Sequence, residues 1–242
     1  MTAENNPISI GDAARILNVT IETLRRWDHS GKLKANRTRG EQRRYTVESI
    51  QDFLTNNLFW GAKRWAQKSK SEPDGIFYCP TRPTFETRNA FMEKRLADNI
   101  GDVYSLISSS IGEIGNNSFD HNLGRWPDVM GVYFGYNIEK RRIVLADKGL
   151  GILKTLQRVV PGLSDHKKAL HTAFTEIITG RAPENRGNGL KYIIRNVENG
   201  HFSLTFQTGN AEMVLKAGES FTADNIKIVK YNIPGCLALI SF

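Results

Sequence analysis

The sequence predicts an α+β fold in two parts: a small basic helical part, then a larger two-layer α/β sandwich. Three observations carry this reading. Between Ile8 and Leu54, short apolar stretches alternate with capping and turn residues, the pattern of short helices. Met92, Leu96, Ile100, Val103, Ile107, Ile111 and Ile114 recur at steps of three and four, one stripe of a long amphipathic helix. Downstream, residues 129–136, 142–146, 202–207, 213–216, 226–231 and 237–242 are β-like, separated by further helical segments. That order suits one layer of helices over a mixed sheet.

Composition narrows the class of protein. Hydrophobic residues at 40% and charged ones at 24% are ordinary for a globular chain. Two cysteines, Cys79 and Cys236, are too few for a disulfide framework or a cysteine-rich zinc site, which fits a reducing cytoplasm. No apolar run reaches the length of a membrane span, and the N-terminus is polar, so neither a membrane association nor a signal core is expected. The net charge of +8 is unevenly placed. Residues 1–70 hold 13 Lys and Arg against 7 Asp and Glu, whereas residues 71–242 hold 20 against 18. The basic excess in the first third points to a polyanion partner there.

Ser9 or Asp12 can cap a first helix through Leu17, and Asn18-Val19 makes a tight connector. Thr20 caps a second helix, Ile21 to about His29. Two short helices joined by about three residues read as a helix-turn-helix, whose second helix enters the major groove of double-stranded DNA. That helix carries Glu22, Thr23, Arg25 and Arg26, while Leu24 and Trp27 pack inward. A basic hairpin follows around Gly40, then a third helix from Thr46 or Val47 to about Leu54. Residues 1–57 form this first domain, 58–89 a connecting segment with a polar linker at 69–75, and 90–242 the second domain. In the connecting segment Trp60 and Trp65 are candidates for core packing or for anchoring the domains, and Phe77-Tyr78-Cys79 reads as a short edge strand before Pro80 and Pro83.

The spacing Ile10-x-x-Ala13-Ala14-x-x-Leu17-x-Val19-x-x-x-Thr23-Leu24-Arg25-Arg26-Trp27, then Gly31-x-Leu33, then Arg43-Arg44-Tyr45, resembles the winged helix-turn-helix of the MerR family and related excisionase-like domains. The resemblance covers about residues 8–56. It implies that Thr23, Arg25 and Arg26 face DNA and that Arg43, Arg44 and Tyr45, with Arg37 beside them, hold the wing on the DNA backbone. Arginines placed so can read guanine edges or clamp phosphates.

The second domain concentrates its polar chemistry in three segments. In Ile111–His121, Glu113 and Asn117 stand four residues apart and leave one helix face about a turn apart. An amide oxygen can ligate a hard cation such as Mg²⁺, and a carboxylate can orient or deprotonate a water. Gly112 and Gly115 in the same helix cost it about 1 kcal/mol each against Ala, which is easier to understand if something approaches the backbone there. The apolar run Arg142–Leu145 ends at Asp147, followed by Gly149 and Gly151, which suits a ligand edge with close backbone approach. Gly187-Asn188-Gly189-Leu190 opens a helix whose free N–H groups suit a phosphate. Polar residues 179–186 read as a mobile lid, from which Arg181 or Arg186 could reach phosphates.

In the order E-x-x-x-N, D-x-G-x-G, G-x-G-L, these segments resemble the nucleotide site of the GHKL superfamily of ATPases, over about residues 90–242. The resemblance implies ATP and Mg²⁺ as cofactors. Glu113 would activate water, Asn117 would hold Mg²⁺, and Asp147 would accept from the adenine amino group. Gly149 and Gly151 would shape the adenine pocket. Gly187, Gly189 and Leu190 would meet the phosphates. Where the superfamily often opens its last strand with Gly-Thr, this chain has Gly235-Cys236, which leaves a threonine contact in doubt.

No G-x-x-x-x-G-K-[ST] loop is present, so a P-loop ATPase is excluded, and no histidine stands just upstream of the Glu113 helix as a phosphoacceptor. The leading expectation is a DNA-binding transcription regulator coupled to ATP binding, with slow Mg²⁺-dependent hydrolysis open and a homodimer expected. Two alternatives stand beside it: a Ser/Thr protein kinase resembling anti-sigma-factor kinases, acting on a protein partner, and a DNA-bending accessory factor of a mobile element. Phosphotransfer to a partner would favour the first of these, and bending indifferent to nucleotide the second.

Overall fold

The structure, a computed structural model, describes residues 7–68, 72–73, 75–121, 131–160, 162–176 and 188–242. The N-terminal part pairs three short antiparallel strands, β1 (Ile8–Ser9), β2 (Asn36–Arg37) and β3 (Arg43–Tyr45), with β3 in the middle. Around them stand α1 (Ile10–Ile16), α2 (Ile21–His29) and α3 (Val47–Asn56). All three helices begin where a hydroxyl satisfies an orphan backbone donor. Ser9 accepts from the Asp12 amide, Thr20 from Thr23 and Thr46 from Ser49, each at 3.1 Å, and each such cap stabilises by about 1 kcal/mol.

A fourth helix, α4 (Leu58–Lys68), follows directly after Asn57. Trp60 packs back against Trp27 and Phe53 with ring centroids 5.3 and 5.4 Å away. Trp65 faces the other way and reaches Tyr133 in the large sheet at 6.2 Å. The two tryptophans therefore fasten α4 to both halves of the chain.

The large sheet holds β4 (Tyr78–Cys79), β5 (Val132–Asn137), β6 (Arg142–Asp147), β7 (Ser203–Leu215) and β8 (Ile226–Ser241), in the order β4-β5-β6-β8-β7. Every pairing is antiparallel, where the sequence suggested a mixed sheet. The β5–β6 and β7–β8 pairs are made by neighbours in sequence, which favours antiparallel ladders, and β6 against β8 joins the two. The four β-like runs after residue 202 are two long strands. Register shifts around Gly209, which has a left-handed φ of 56°, absorb the break the sequence showed there.

The long helix read from 92 to 114 is two helices, α5 (Arg82–Ile100) and α6 (Tyr104–His121). Gly101 takes φ 65° between them, a conformation that suits glycine and ends the first helix. The helices then fold back on each other. Asn89 donates to the Ser108 carbonyl at 3.2 Å, and Arg82 pairs with Asp120. Pro83, read as ending a strand, stands in the first turn of α5, where its missing N–H is harmless. A Cβ on Gly115 would lie 2.1 Å from the Phe85 ring, so what approaches α6 at that glycine is α5. On the helical face of the sheet, α5 and α6 are joined by α8 (His166–Thr175) and α9 (Gly189–Glu198), and a short α7 (Gly151–Leu156) follows β6.

Around β5 and β6 both faces of the sheet are buried, by period-two alternation. Ile143 and Leu145 face the helical layer with Val132 and Phe134, whereas Val144 and Ala146 face α4 with Tyr133 and Leu237. The sandwich is thus completed by a third layer, α4 and the N-terminal part. The fit there is close: a Cβ on Gly61 would lie 2.9 Å from Tyr133 Oη, and one on Gly135 2.9 Å from Leu58.

Candidate functional site

On the N-terminal surface, the residues expected at DNA stand in different environments. Arg25 and Arg26 are exposed on α2, and Arg25 makes a loose exposed pair with Glu22 at 3.4 Å. Thr23 is half-buried, and its hydroxyl exchanges a hydrogen bond with Thr20 at 2.9 Å across the helix start. Arg37 and Arg43 are both held by one carboxylate: Asp28 accepts from Arg37 Nη2 at 2.9 Å and Arg43 Nε at 2.7 Å. Asp28 also accepts from the Ala35 amide at 3.0 Å. That amide, followed by the two guanidinium groups, keeps its carboxyl below the usual range. The wing is therefore pinned to the end of α2 by an aspartate nine and fifteen residues away from its partners, which no local pattern marks. Arg44 points elsewhere and bonds Gln42 at 3.1 Å.

Tyr45 corrects the expectation. It is 1% exposed and packs among Ala13, Leu24 and Trp27, so its ring belongs to the small domain's core and is not placed to touch DNA. Arg43 and Arg44 are partly exposed on the same strand, whose last residue turns under α1. Burial raises the Tyr45 phenol above its usual pKa.

In the C-terminal part, α6 presents the polar residues expected to gather there. Glu113 is exposed and Asn117 half-buried. A Cβ on Gly189 would meet Glu113 Oε2 at 2.2 Å, so the first turn of α9 stands directly against that carboxylate. Leu190 is half-buried in the same turn and packs on the core. Ser118, one residue past Asn117, is buried beside the Asp147 carboxyl, and its hydroxyl donates to the Ile114 carbonyl at 3.1 Å. From Glu113 to Ser118 is about 7.5 Å along a helix, so α6 bridges the start of α9 and the end of β6.

Asp147 is 3% exposed. Its Oδ1 accepts from the Gly149 amide at 2.8 Å and the Cys236 amide at 3.3 Å. Burial raises its pKa to about 6 against the lowering by Gly149, Ser118 and Cys236. A Cβ on Gly235 would fall 2.2 Å from that oxygen, so the glycine leaves the carboxylate its space. Gly151 has φ 72° and lies against Pro234 and the Thr208 hydroxyl. Thr208, wholly buried on β7, accepts from the Ile152 amide and donates to the Gly235 carbonyl, each at 3.1 Å.

Sequence reasoning missed Asp28, Ser118 and Thr208. Thr208 is invisible because only the β7–β8 register, Thr208 opposite Cys236, brings it to the Asp147 loop. Gly187, Arg181, Arg186 and the lid at 179–186 lie outside the described residues. Among the described residues no cluster of three or more His, Cys, Asp or Glu is placed to hold a metal, so an ion near Asn117 would need ligands from a bound anion or from water.

The small domain, with two capped helices, a basic exposed second helix and a three-stranded wing, is a winged helix-turn-helix. Residues 9–45 match the family model described as MerR family regulatory protein. That match supports a DNA-binding transcription regulator. No curated protein and no solved structure matches the chain. Among the described residues no helix is long and apolar enough to cross a membrane.

Proposed function

We propose that the C-terminal domain binds Mg²⁺-ATP and that this binding adjusts how the winged helix-turn-helix holds DNA. The observation that carries the nucleotide reading is convergence. Glu113, Gly189 and Asp147 come from three distant segments and gather along α6, with Gly189 against the Glu113 carboxylate. The fit is chemical as well. A buried carboxylate with a raised pKa lacks donors enough for its charge, and an amino group with an N–H to give would stabilise the ionised form. When bound, Mg²⁺-ATP supplies polyphosphate charge and an electrophilic phosphorus. The chain supplies Asp147 as the buried acceptor, the Gly189 turn as backbone donors, the Asn117 amide oxygen for the ion and Glu113 to hold a water.

The route to the reader runs through the residue after Asp147. Lys148 is buried on the opposite face, with its ammonium 4.7 Å above the Trp65 ring of α4. A change at the Asp147 loop thus bears on the helix that carries the reader. A dimer would place two readers on two half-sites of an operator.

Calorimetric titration with Mg²⁺-ATP tests the site. Micromolar binding by the wild type, lost in Asp147→Asn, is expected. Absence of heat with a folded wild type would overturn the nucleotide reading and leave the DNA reader standing.

A further inference from the structure

We propose that Asp28 is a positioning residue of the DNA reader: it holds Arg37 and Arg43 off the phosphates, as struts of the wing, and leaves phosphate contact to Arg44. The inference rests on the reading of α2 and the wing as the DNA surface.

Strand register sorts the wing's arginines. Successive residues of a strand point to opposite faces, and directly paired residues share a face. Arg37 pairs with Arg43 across β2 and β3, and Asn36 with Arg44. Arg43 is two residues from Tyr45, whose ring is in the small domain's core, so Arg43 and Arg37 stand on the inner face. Arg44 stands on the outer one. Two cations directly opposite in a ladder repel each other. What offsets that repulsion here is Asp28 Oδ2, which accepts from Arg37 Nη2 at 2.9 Å and from Arg43 Nε at 2.7 Å.

The Asp28 side chain is itself only 11% exposed, in the last turn of α2. Its other oxygen, Oδ1, takes the Ala35 amide, which leads into β2. One residue therefore ties together the end of the helix, the entry to the wing and both inner arginines. Arg37 is also held from another side. Its Nη1 lies 3.8 Å from Glu41 Oε2 and 3.5 Å from the Glu41 carbonyl. Glu41 has a left-handed φ of 59°, a conformation uncommon outside glycine. Both terminal nitrogens of Arg37 thus face carboxylates, and a phosphate would have to compete with them. Arg44 instead donates to a neutral amide, Gln42 Oε1, at 3.1 Å. A hydrogen bond to a neutral acceptor is weaker than one to a carboxylate, so Arg44 is the arginine that a phosphate can take over.

The test is fluorescence anisotropy of the full chain with a labelled mixed-sequence duplex, titrated between about 50 and 200 mM salt. Asp28→Asn keeps an oxygen for the Ala35 amide and turns an NH₂ toward the two guanidinium groups. Freed arginines should steepen the salt slope by up to about 1.8, roughly 0.9 for each phosphate gained, and tighten binding at low salt. Asp28→Glu, which restores the charge, should return the slope toward the wild type. A purely structural role for Asp28 would change stability without steepening the slope.

A second pair of variants keeps Asp28 in place and guards against misfolding of Asp28→Asn. Arg37→Gln and Arg43→Gln should each leave the slope unchanged, whereas Arg44→Gln should lower it by about 0.9. A fall of that size in Arg37→Gln or Arg43→Gln would overturn the proposal, because Asp28 would then be aiming those arginines at phosphates. An unaltered slope in folded Asp28→Asn would overturn it too. A wild type that binds no duplex would overturn the DNA reading itself.

Discussion

The two faces of the central strands of the large sheet, β5 and β6, are both buried but are covered by different things. On one face lie α5, α6, α8 and α9, the domain's own helices, in a core that includes Ile111, Leu145, Phe174 and Val197. On the other lie α4 and the DNA reader, in a core that runs without interruption from Ala13 and Leu24 through Trp65 to Val144 and Leu237. A sandwich of this kind can leave its second face to solvent, whereas here that face is where the reader is mounted. The two functional halves therefore share a hydrophobic core and are not beads on a linker. The candidate nucleotide site faces one layer, and Lys148, the next residue along, faces the other.

The largest test of that comparison is Trp65→Ala. Removing a buried indole from the second face should cost about 3–5 kcal/mol. In urea denaturation followed by circular dichroism, the reader and the sheet should lose stability together. If the sheet keeps its midpoint while only the reader loosens, the shared core is refuted.

The next test belongs to the first face. Asp147 has a folded pKa raised from 3.8 to about 6. Its contribution to stability is fully present below about pH 4 and is lost as pH rises through about 6. By linkage that loss is roughly 3 kcal/mol at most. Asp147→Asn should flatten this part of the stability profile and be more stable than wild type at pH 7. A profile unchanged in slope would mean that the carboxyl is better solvated or better paired than its hydrogen bonds indicate.

The smallest effect is expected at the DNA surface. Arg26 and Arg44 are basic residues there that Asp28 does not hold. Replacing both by Ala should lower the salt slope of DNA binding by up to about 2, roughly 0.9 for each phosphate that is no longer neutralised. An unaltered slope would move the DNA surface away from α2 and the wing.

Much of this was legible because it is local. The caps Ser9, Thr20 and Thr46 sit where their hydroxyls and the apolar spacing place them, and the β5–β6 hairpin follows from two apolar runs with polar residues between. What failed was non-local or depended on one torsion. The apolar steps of three and four continue across Gly101, so the stripe hid a helical hairpin that only φ 65° reveals. Tyr45 shares its strand with two arginines, and its inward orientation is set by α1 and α2, not by its neighbours. Of the proposed nucleotide site, Glu113, Asn117 and Asp147 stand out in the sequence by residue type and spacing. Ser118 and Thr208 do not, because they reach Asp147 and its loop through helix packing and strand register. The third layer was hidden as well. The connecting segment read from the chain at 58–89 contains α4, β4 and the start of α5, and nothing short of tertiary packing shows that α4 closes the sheet.

The most direct measurement is the affinity of the chain for Mg²⁺-ATP, by calorimetry, with and without its DNA. A reader and a nucleotide site joined through one core should show ATP binding whose Kd shifts when DNA is present, with DNA affinity shifting by the same factor. ATP that binds with one and the same Kd in both conditions would contradict the coupling and leave two independent functions on one shared core.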